Sequence, residues 1–254
     1  MNDKQDNAFF EKAEHIEKCY FSGPHPAGNV GTQINCIAPI SKGEVVWYIE
    51  PQNIVTIGKL FLHKCLDFSK TIALTGPEAV QPRYVRMING ASVKNLGASN
   101  DGSVIRMVSG NVLTGKKIDG ECFIGYDDRQ ITLLSEGGKR CLFGWLGTGF
   151  RHWSHSHAYL SWLLPHKTFS FDTTLNGGYR TMMLPDVYDP VVPLDIMPME
   201  LLKACVTKDL DKMENLGIYD VTEEDFALCD VVCPSKTECQ QIIYDGLTWL
   251  RTQI

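Results

Sequence analysis

No apolar run in this 254-residue chain approaches the roughly 20 residues that a membrane-spanning helix needs. The first residues, MNDKQDNAFFEK, have no basic region followed by an apolar stretch, so we expect no secretory signal. Any association with a membrane is therefore expected to be peripheral and to depend on partner proteins.

The chain also has fewer basic than acidic residues. The chain has 24 Lys and Arg against 30 Asp and Glu, which gives a formal net charge of -6. Nucleic-acid-binding proteins gain much of their affinity from basic side chains that contact phosphates. The acidic excess therefore argues against nucleic acid as the main partner.

The usual signatures of nucleotide sites and hydrolytic sites are missing. The sequence has no Walker loop, no GxGxxG fingerprint, no GxSxG elbow and no HExxH pair. Dinucleotide sites usually contain a glycine-rich loop at a helix N-terminus. We therefore expect no NADH site in this chain and no NADH oxidation by the isolated protein.

The nine cysteines lack the pattern of a disulfide framework. Their number is odd, no CxxC occurs, and most lie inside apolar runs. This usage is typical of reduced, buried thiols in a protein of a reducing compartment. It favours a cytoplasmic location.

The first eighty residues alternate between helical and extended patterns. Residues 28–37 and 52–64 have apolar side chains at helical spacing. The runs VVWYI (residues 45–49) and TIAL (residues 71–74) are β-branched and apolar, as in buried strands. A strand, a helix and a strand in this order predict an α/β domain over residues 1–81.

The pattern changes to α+β over residues 82–145. Polar and apolar side chains alternate in residues 83–88 and 104–108, and Asn89-Gly90 is a turn signal. The pattern predicts a small β-grasp domain with these two runs as strands of one sheet. Two further runs predict a following hairpin, residues 130–134 and 140–145.

The C-terminal half divides into two parts. Residues 146–195 are rich in Gly, Pro, His and aromatic side chains, which predicts irregular connecting structure with one short helix at 158–164. Residues 196–254 predict a helical domain in which Thr222 and Asp225 form a capping box. Its four expected helices have apolar side chains at three- and four-residue spacing, in residues 198–206, 209–216, 222–231 and 237–250.

One candidate ligand site is the turn GPHPAGNVG at residues 23–31, ahead of the first helix. Free backbone N–H groups at such a turn bind anions or polar ligand heads. The alternative is a purely structural turn, with glycine for positive φ and proline for a fixed helix start. The candidate ligand contacts in this turn are His25, Pro26 and Gly28.

A second candidate is the histidine-rich stretch HWSHSH. Imidazoles at this spacing can meet at a metal ion, but a metal site needs further ligands. The alternative is packing of the rings on Trp153 and Tyr159, and we assign no metal. The histidines are His152, His155 and His157.

The third candidate is the pair Cys229 and Cys233 in ALCDVVCP. A ferredoxin-type cluster uses the spacing C-x2-C-x2-C-x3-C-P. With these two cysteines as its last ligands, the first two positions fall on Glu223 and Phe226. Phenylalanine has no donor atom and Cys239 lies outside the spacing, so we expect no iron–sulfur cluster and a buried Phe226.

Several segments together resemble one family, the NqrA subunits of the sodium-translocating NADH:quinone reductases. The segments are FSGPHPAGNVGT, IGKLF, IALTGP with PRYVR, VIRMVSGNVLTG, and VPLDIMP with EEDFALCDVVCP. They follow the family's order and span the chain from about His15 onward. HWSHSH and the first dozen residues match no motif of the family.

The resemblance implies the C-terminal portion of an NqrA subunit. It implies part of a Rossmann-like domain (residues 1–81), a soluble-ligand-binding β-grasp domain with its hairpin (82–145), a connecting region (146–195) and a helical relic of an iron–sulfur domain (196–254). It also implies a peripheral subunit on the cytoplasmic face of the inner membrane, bound to integral membrane subunits.

The resemblance implies, further, that this chain binds no cofactor of its own. NADH, flavins, iron–sulfur clusters and ubiquinone would lie in or near other subunits, and a quinone in this chain would contact His25 first. Two alternatives stay open. One is an electron-carrying subunit of the related Rnf complexes, and the other is a free-standing ligand-binding module.

Overall fold

A computed structural model describes residues 12–93, 96, 104–119, 123–137, 144–150, 152–164, 166–182 and 184–253. The chain forms two compact units. One joins the N-terminal residues up to Tyr48 with the residues from Gly177 onward, and the other contains Ile49–Asn176.

The second unit contains one helix and five strands: α2 (Pro51–His63), β1 (Ser69–Thr75), β2 (Arg83–Ile88), β3 (Ile105–Ser109), β4 (Lys116–Ile118) and β5 (Gln130–Ser135). The strands form one sheet in the order β2-β1-β5-β3-β4. β1 pairs antiparallel with β2 and parallel with β5, and β3 pairs antiparallel with β4 and β5.

The core of this unit lies on one face of the sheet. β1 buries alternate side chains, as the period of two in a strand requires. The chain turns directly after β1, at Gly76, whose φ is +105°. A side chain would not fit there, because a Cβ on Gly76 would lie 2.1 Å from the Leu133 carbonyl oxygen. The buried apolar side chains that cluster on this face are Ile72, Leu74, Val93, Ile124, Ile131 and Leu133.

The other unit is helical. Gly246, in the last helix of this unit, allows close approach of the helix that contains Cys205. A Cβ on Gly246 would lie only 2.8 Å from Cys205 Sγ. Its core includes Leu201, Leu202, Met213, Phe226 and Ile243, each with no exposed surface. The helices are α1 (Val30–Ile37), α3 (Pro198–Thr207), α4 (Leu210–Asn215), α5 (Ala227–Val232) and α6 (Cys239–Arg251).

The coarse prediction of a mixed α/β fold with C-terminal helices is confirmed. The predicted capping box is present, because the Thr222 side chain accepts from the Asp225 N–H and the Asp225 carboxylate accepts from the Thr222 N–H. The predicted elements that the structure contains are α1 to α6 and β1, β2, β3 and β5.

Two local predictions are wrong, and a third falls mostly outside the described residues. Residues 45–49 form no strand, because no described strand pairs with them, and Trp47 is 91% exposed. The expected helix at 158–164 is a 3-10 turn, Leu160–Leu163. Of the run at 140–145, residues 140–143 lie outside the described residues, and the rest lies in the 3-10 turn Gly144–Leu146.

Within the described residues, no helix is both long and apolar enough to cross a bilayer.

Candidate functional site

The turn of residues 23–31 is closed by its own backbone. The Ala27 N–H donates to the Pro24 carbonyl at 3.0 Å, and the Asn29 N–H donates to the Pro26 carbonyl at 2.7 Å. His25 and Gly28 are exposed, whereas Pro26 is buried. The two hydrogen bonds fix the path of the backbone and leave the His25 side chain on the surface.

Helix α1 follows this turn directly, and the carboxylate of Asp225, which is distant in sequence, lies at its N-terminus. Thr32 Oγ1 donates to Asp225 Oδ1 at 2.9 Å, and both groups are buried. An added Cβ on Gly31 would lie 2.9 Å from Asp225 Oδ2 and 2.8 Å from Thr222 Oγ1. A helix N-terminus attracts negative charge, so Asp225 stabilises α1 from a distance of 193 residues in sequence.

Asp225 also completes the capping box of its own segment. Thr222 N–H and Thr222 Oγ1 donate to Asp225 Oδ2 at 2.9 and 2.8 Å. One carboxylate therefore holds two helix starts together. Beside it, Asn29 Nδ2 donates to the Glu224 carbonyl oxygen at 3.2 Å. Burial raises the pKa of the Glu224 carboxyl, and the neighbouring charges of Asp225 and Glu223 raise it further.

The geometry divides the candidate turn into two parts. The start of α1 is packed against Thr222 and Asp225, with no room for a Cβ at Gly31. The position of a Cβ on Gly28 has no atom within 4 Å among the described residues. The part that a ligand can reach is therefore the exposed loop with His25 and Gly28.

The three histidines of HWSHSH each contact an aromatic ring. The ring centroids are 5.5 Å apart for His152 and Tyr159, 6.4 Å for His155 and Trp153, and 6.0 Å for His157 and the nearly parallel Trp162. The structure therefore places the three imidazoles against three different rings.

Three cysteines lie in one buried cluster of the helical unit. Cys229, Cys233 and Cys239 have no exposed surface, and Tyr188 Oη lies 3.0 Å from Cys233 Sγ. Burial raises the pKa of Cys229 to about 12 and also raises the pKa of Cys239. Burial acts to raise the pKa of Cys233 as well, but hydrogen bonds from Tyr188 and Thr237 leave it below the ordinary value.

These residues do not fit an iron–sulfur cluster. Phe226 is buried in the core beside the cysteines, as predicted, while Glu223 is exposed. A cluster needs four ligand atoms, normally thiolates, around its irons. Among the described residues, no three His, Cys, Asp or Glu side chains are arranged to hold a metal ion.

A buried lysine was not recognised from the sequence. Lys70 is only 4% exposed, and its Nζ donates to the Tyr126 carbonyl oxygen at 2.7 Å. Burial lowers its pKa, against the attraction of Glu50. The signal was available, because Lys70 lies on the same face of β1 as Ile72 and Leu74.

Comparison of the sequence with known proteins identifies a family. The NqrA subunit of the Na(+)-translocating NADH-quinone reductase of Alcanivorax borkumensis is 40% identical over 236 residues, 92% of this chain and 52% of the relative. Its counterpart in Hahella chejuensis is 40% identical over 230 residues, 90% of this chain and 52% of the relative. The counterpart in Neisseria meningitidis serogroup B is 39% identical over 233 residues, 90% of this chain and 52% of the relative.

The chain belongs to the NqrA family. Two family models match it in order: the NqrA second alpha/beta domain at residues 1–66 and the NQRA C-terminal domain at residues 71–120. The turn with His25 lies within the residues that match the NqrA second alpha/beta domain. The chain spans about half the length of the curated NqrA relatives it matches.

Proposed function

We propose that this chain acts as part of a peripheral subunit of a sodium-pumping NADH:quinone reductase, on the cytoplasmic face of the inner membrane. In that complex NADH is oxidised, quinone is reduced and sodium ions are moved across the membrane. The observation that carries the proposal is the match to NqrA relatives at 40% identity over 92% of the chain. A similarity of that length supports a common fold and a common binding surface.

The finer fold belongs to the same proposal. Residues 1–81 would be part of a Rossmann-like domain, 82–145 a β-grasp domain with its hairpin, 146–195 a connection and 196–254 a helical relic of an iron–sulfur domain. The strands of residues 83–88 and 105–109 in one sheet support the β-grasp assignment. These boundaries stay predictions.

In the complex, this chain would supply binding surface rather than redox groups. NADH, flavins and iron–sulfur clusters would be held in other subunits, and ubiquinone would reach this chain at the turn of residues 23–31. The buried Pro26 fixes the turn, and the exposed His25 offers an imidazole N–H to a quinone oxygen. A donor at that oxygen favours reduction, because the oxygen gains negative charge.

The assembly is tested by co-purification. We expect the tagged chain, expressed in a bacterium that makes the other subunits, to retain the integral membrane subunits after detergent extraction. The eluate should oxidise NADH with quinone, and the chain alone should not. Recovery of the chain without membrane subunits would favour a free-standing ligand-binding module, and bound iron and sulfide in the chain would favour an Rnf-type subunit.

The quinone contact is tested by titrating a water-soluble quinone analogue against the chain. We expect His25→Ala to weaken binding about two- to tenfold, the value of one hydrogen bond. His25→Gln should recover part of the affinity, because its amide also donates. His63, an exposed histidine at the end of α2, provides the matched control His63→Ala. Equal losses in the two alanine variants would rule out a specific role for His25.

A further inference from the structure

The segment of residues 144–171, which we term the aromatic segment, contains no acidic residue, and the first carboxylate after it is that of Asp172. At the average of this chain, with 30 Asp and Glu in 254 residues, about three would be expected. The segment contains two basic residues, Arg151 and Lys167, and four of the seven histidines. It is therefore cationic within a chain whose net charge is -6.

The aromatic segment also exposes large apolar side chains. Trp162 is 54% exposed and Phe171 is 57% exposed. Exposed apolar patches of this kind mark surfaces that bind proteins or membranes. The exposed side chains are Leu146, Phe150, Trp153, Leu160, Trp162, Leu163, Leu164 and Phe171.

Contacts within the segment hold these side chains on one structure. The Leu160 N–H donates to the Thr148 carbonyl at 3.1 Å, and Ser161 Oγ donates to the His152 carbonyl. Trp153 meets Phe171 edge to face at 6.0 Å between ring centroids. These contacts join residues 148–153 to residues 160–171, so the exposed rings belong to one packed structure and not to independent loops.

Basic charge lies within the same set of contacts. Lys167 Nζ lies 5.6 Å from the centroid of the Phe169 ring and donates to the Phe150 carbonyl. The ring of Phe169 in turn lies 6.4 Å from that of Phe171. A cation and apolar rings are thus presented together, with no carboxylate within the segment.

We propose that the aromatic segment is a membrane-docking surface, which seats Trp153 and Trp162 at the headgroup level of an anionic bilayer. Tryptophan is enriched at that depth because one end of its ring is apolar and the other donates a hydrogen bond. Lys167 is attracted by anionic phospholipid, and the segment has no carboxylate of its own to repel that surface. Charge complementarity thus selects a lipid surface as the occupant.

The first experiment needs only the 254-residue chain and vesicles, so its failure would leave the proposed function untouched. Co-sedimentation is measured with vesicles of phosphatidylcholine alone and of three parts phosphatidylcholine to one part phosphatidylglycerol. We expect binding to the anionic vesicles to be stronger by about fivefold for each basic charge at the surface. High salt should reduce it, since exposed charges are screened. No binding, or equal binding to both vesicles, would overturn the proposal.

Variants locate the surface. We expect Lys167→Ala to weaken anionic binding about fivefold, and Trp162→Ala to weaken it by a similar factor through lost apolar burial. Phe61→Ala is the matched control, because Phe61 is 80% exposed on α2 of the same unit. A loss that follows Phe61→Ala and spares the other two would contradict the proposal.

A second measurement avoids variants in the segment itself. Brominated phospholipids quench tryptophan fluorescence only at contact distance. In a Trp47→Phe background, which removes the 91% exposed Trp47, anionic brominated vesicles should still quench the chain. Loss of quenching in this background would place the contact at Trp47 and exclude the aromatic segment.

Discussion

Asp225→Ala is expected to lower the free energy of unfolding by about 2–4 kcal/mol. The carboxylate is 1% exposed and accepts hydrogen bonds from Thr32 Oγ1, Thr222 N and Thr222 Oγ1. Alanine removes a capping box, which costs about 0.5–2 kcal/mol, and leaves buried donors unsatisfied at about 1–3 kcal/mol. Urea unfolding followed by circular dichroism measures the change.

Two further variants separate the causes. Asp225→Asn keeps the shape and an acceptor oxygen but loses the charge at the start of α1, so about half of the effect should remain. Thr32→Val removes only the contact with α1, and a double-mutant cycle with Asp225→Ala should show a coupling of about 1 kcal/mol.

The matched control is Glu223→Ala, two positions away on the exposed side of the same turn. An exposed substitution of this kind should change stability by less than about 0.5 kcal/mol. Hydrogen exchange gives the location, because amides of Val30–Ile37 should exchange faster in Asp225→Ala than in Glu223→Ala. Equal exchange in α1 of the two variants would show that Asp225 does not hold this helix.

Local patterns predicted the elements of this fold well. The apolar spacing of α2 and α6 and the alternation in β2 and β3 depend on neighbouring residues, so they can be read from a short window. The capping box is equally local, because Thr222 and Asp225 are close neighbours in sequence. These are the features for which the sequence alone was sufficient.

Pairing between distant segments could not be predicted. Residues 45–49 have the composition of a buried strand, but a strand also needs a partner, and the described residues provide none for it. The parallel pairing of β1 with β5 brings Ala73 to Gln130 without any local signal. Element type was therefore easier to predict than sheet order.

The candidate site shows the same difference between local features, which could be predicted, and distant contacts, which could not. The glycine-rich turn and the start of α1 were found from local composition. The carboxylate that lies against Gly31 comes from Asp225, and no pattern near either residue indicates the contact. The histidines of HWSHSH likewise needed the structure, because spacing alone does not show that each imidazole lies on a different aromatic ring.

Phe226→Ala is expected to lower the free energy of unfolding by about 3–5 kcal/mol, the usual cost of truncating a buried phenylalanine. Phe226 has no exposed surface and packs in the core that contains Cys229, Cys233 and Cys239. Phe226→Leu keeps most of the apolar volume and should cost less than about 1.5 kcal/mol. Val231→Ala is the control on α5, since Val231 is 39% exposed.

The same core is expected to be stable without metal. If apolar burial of Phe226 stabilises this core in place of an iron–sulfur cluster, iron chelators should leave the urea transition of the chain unchanged. Expression without oxygen, with added iron and sulfide, should likewise yield protein with no bound iron, no acid-labile sulfide and no visible absorption. A stoichiometric brown cluster, or a urea transition that moves when chelator is added, would show that the buried cysteines are ligands and that Phe226 does not replace them.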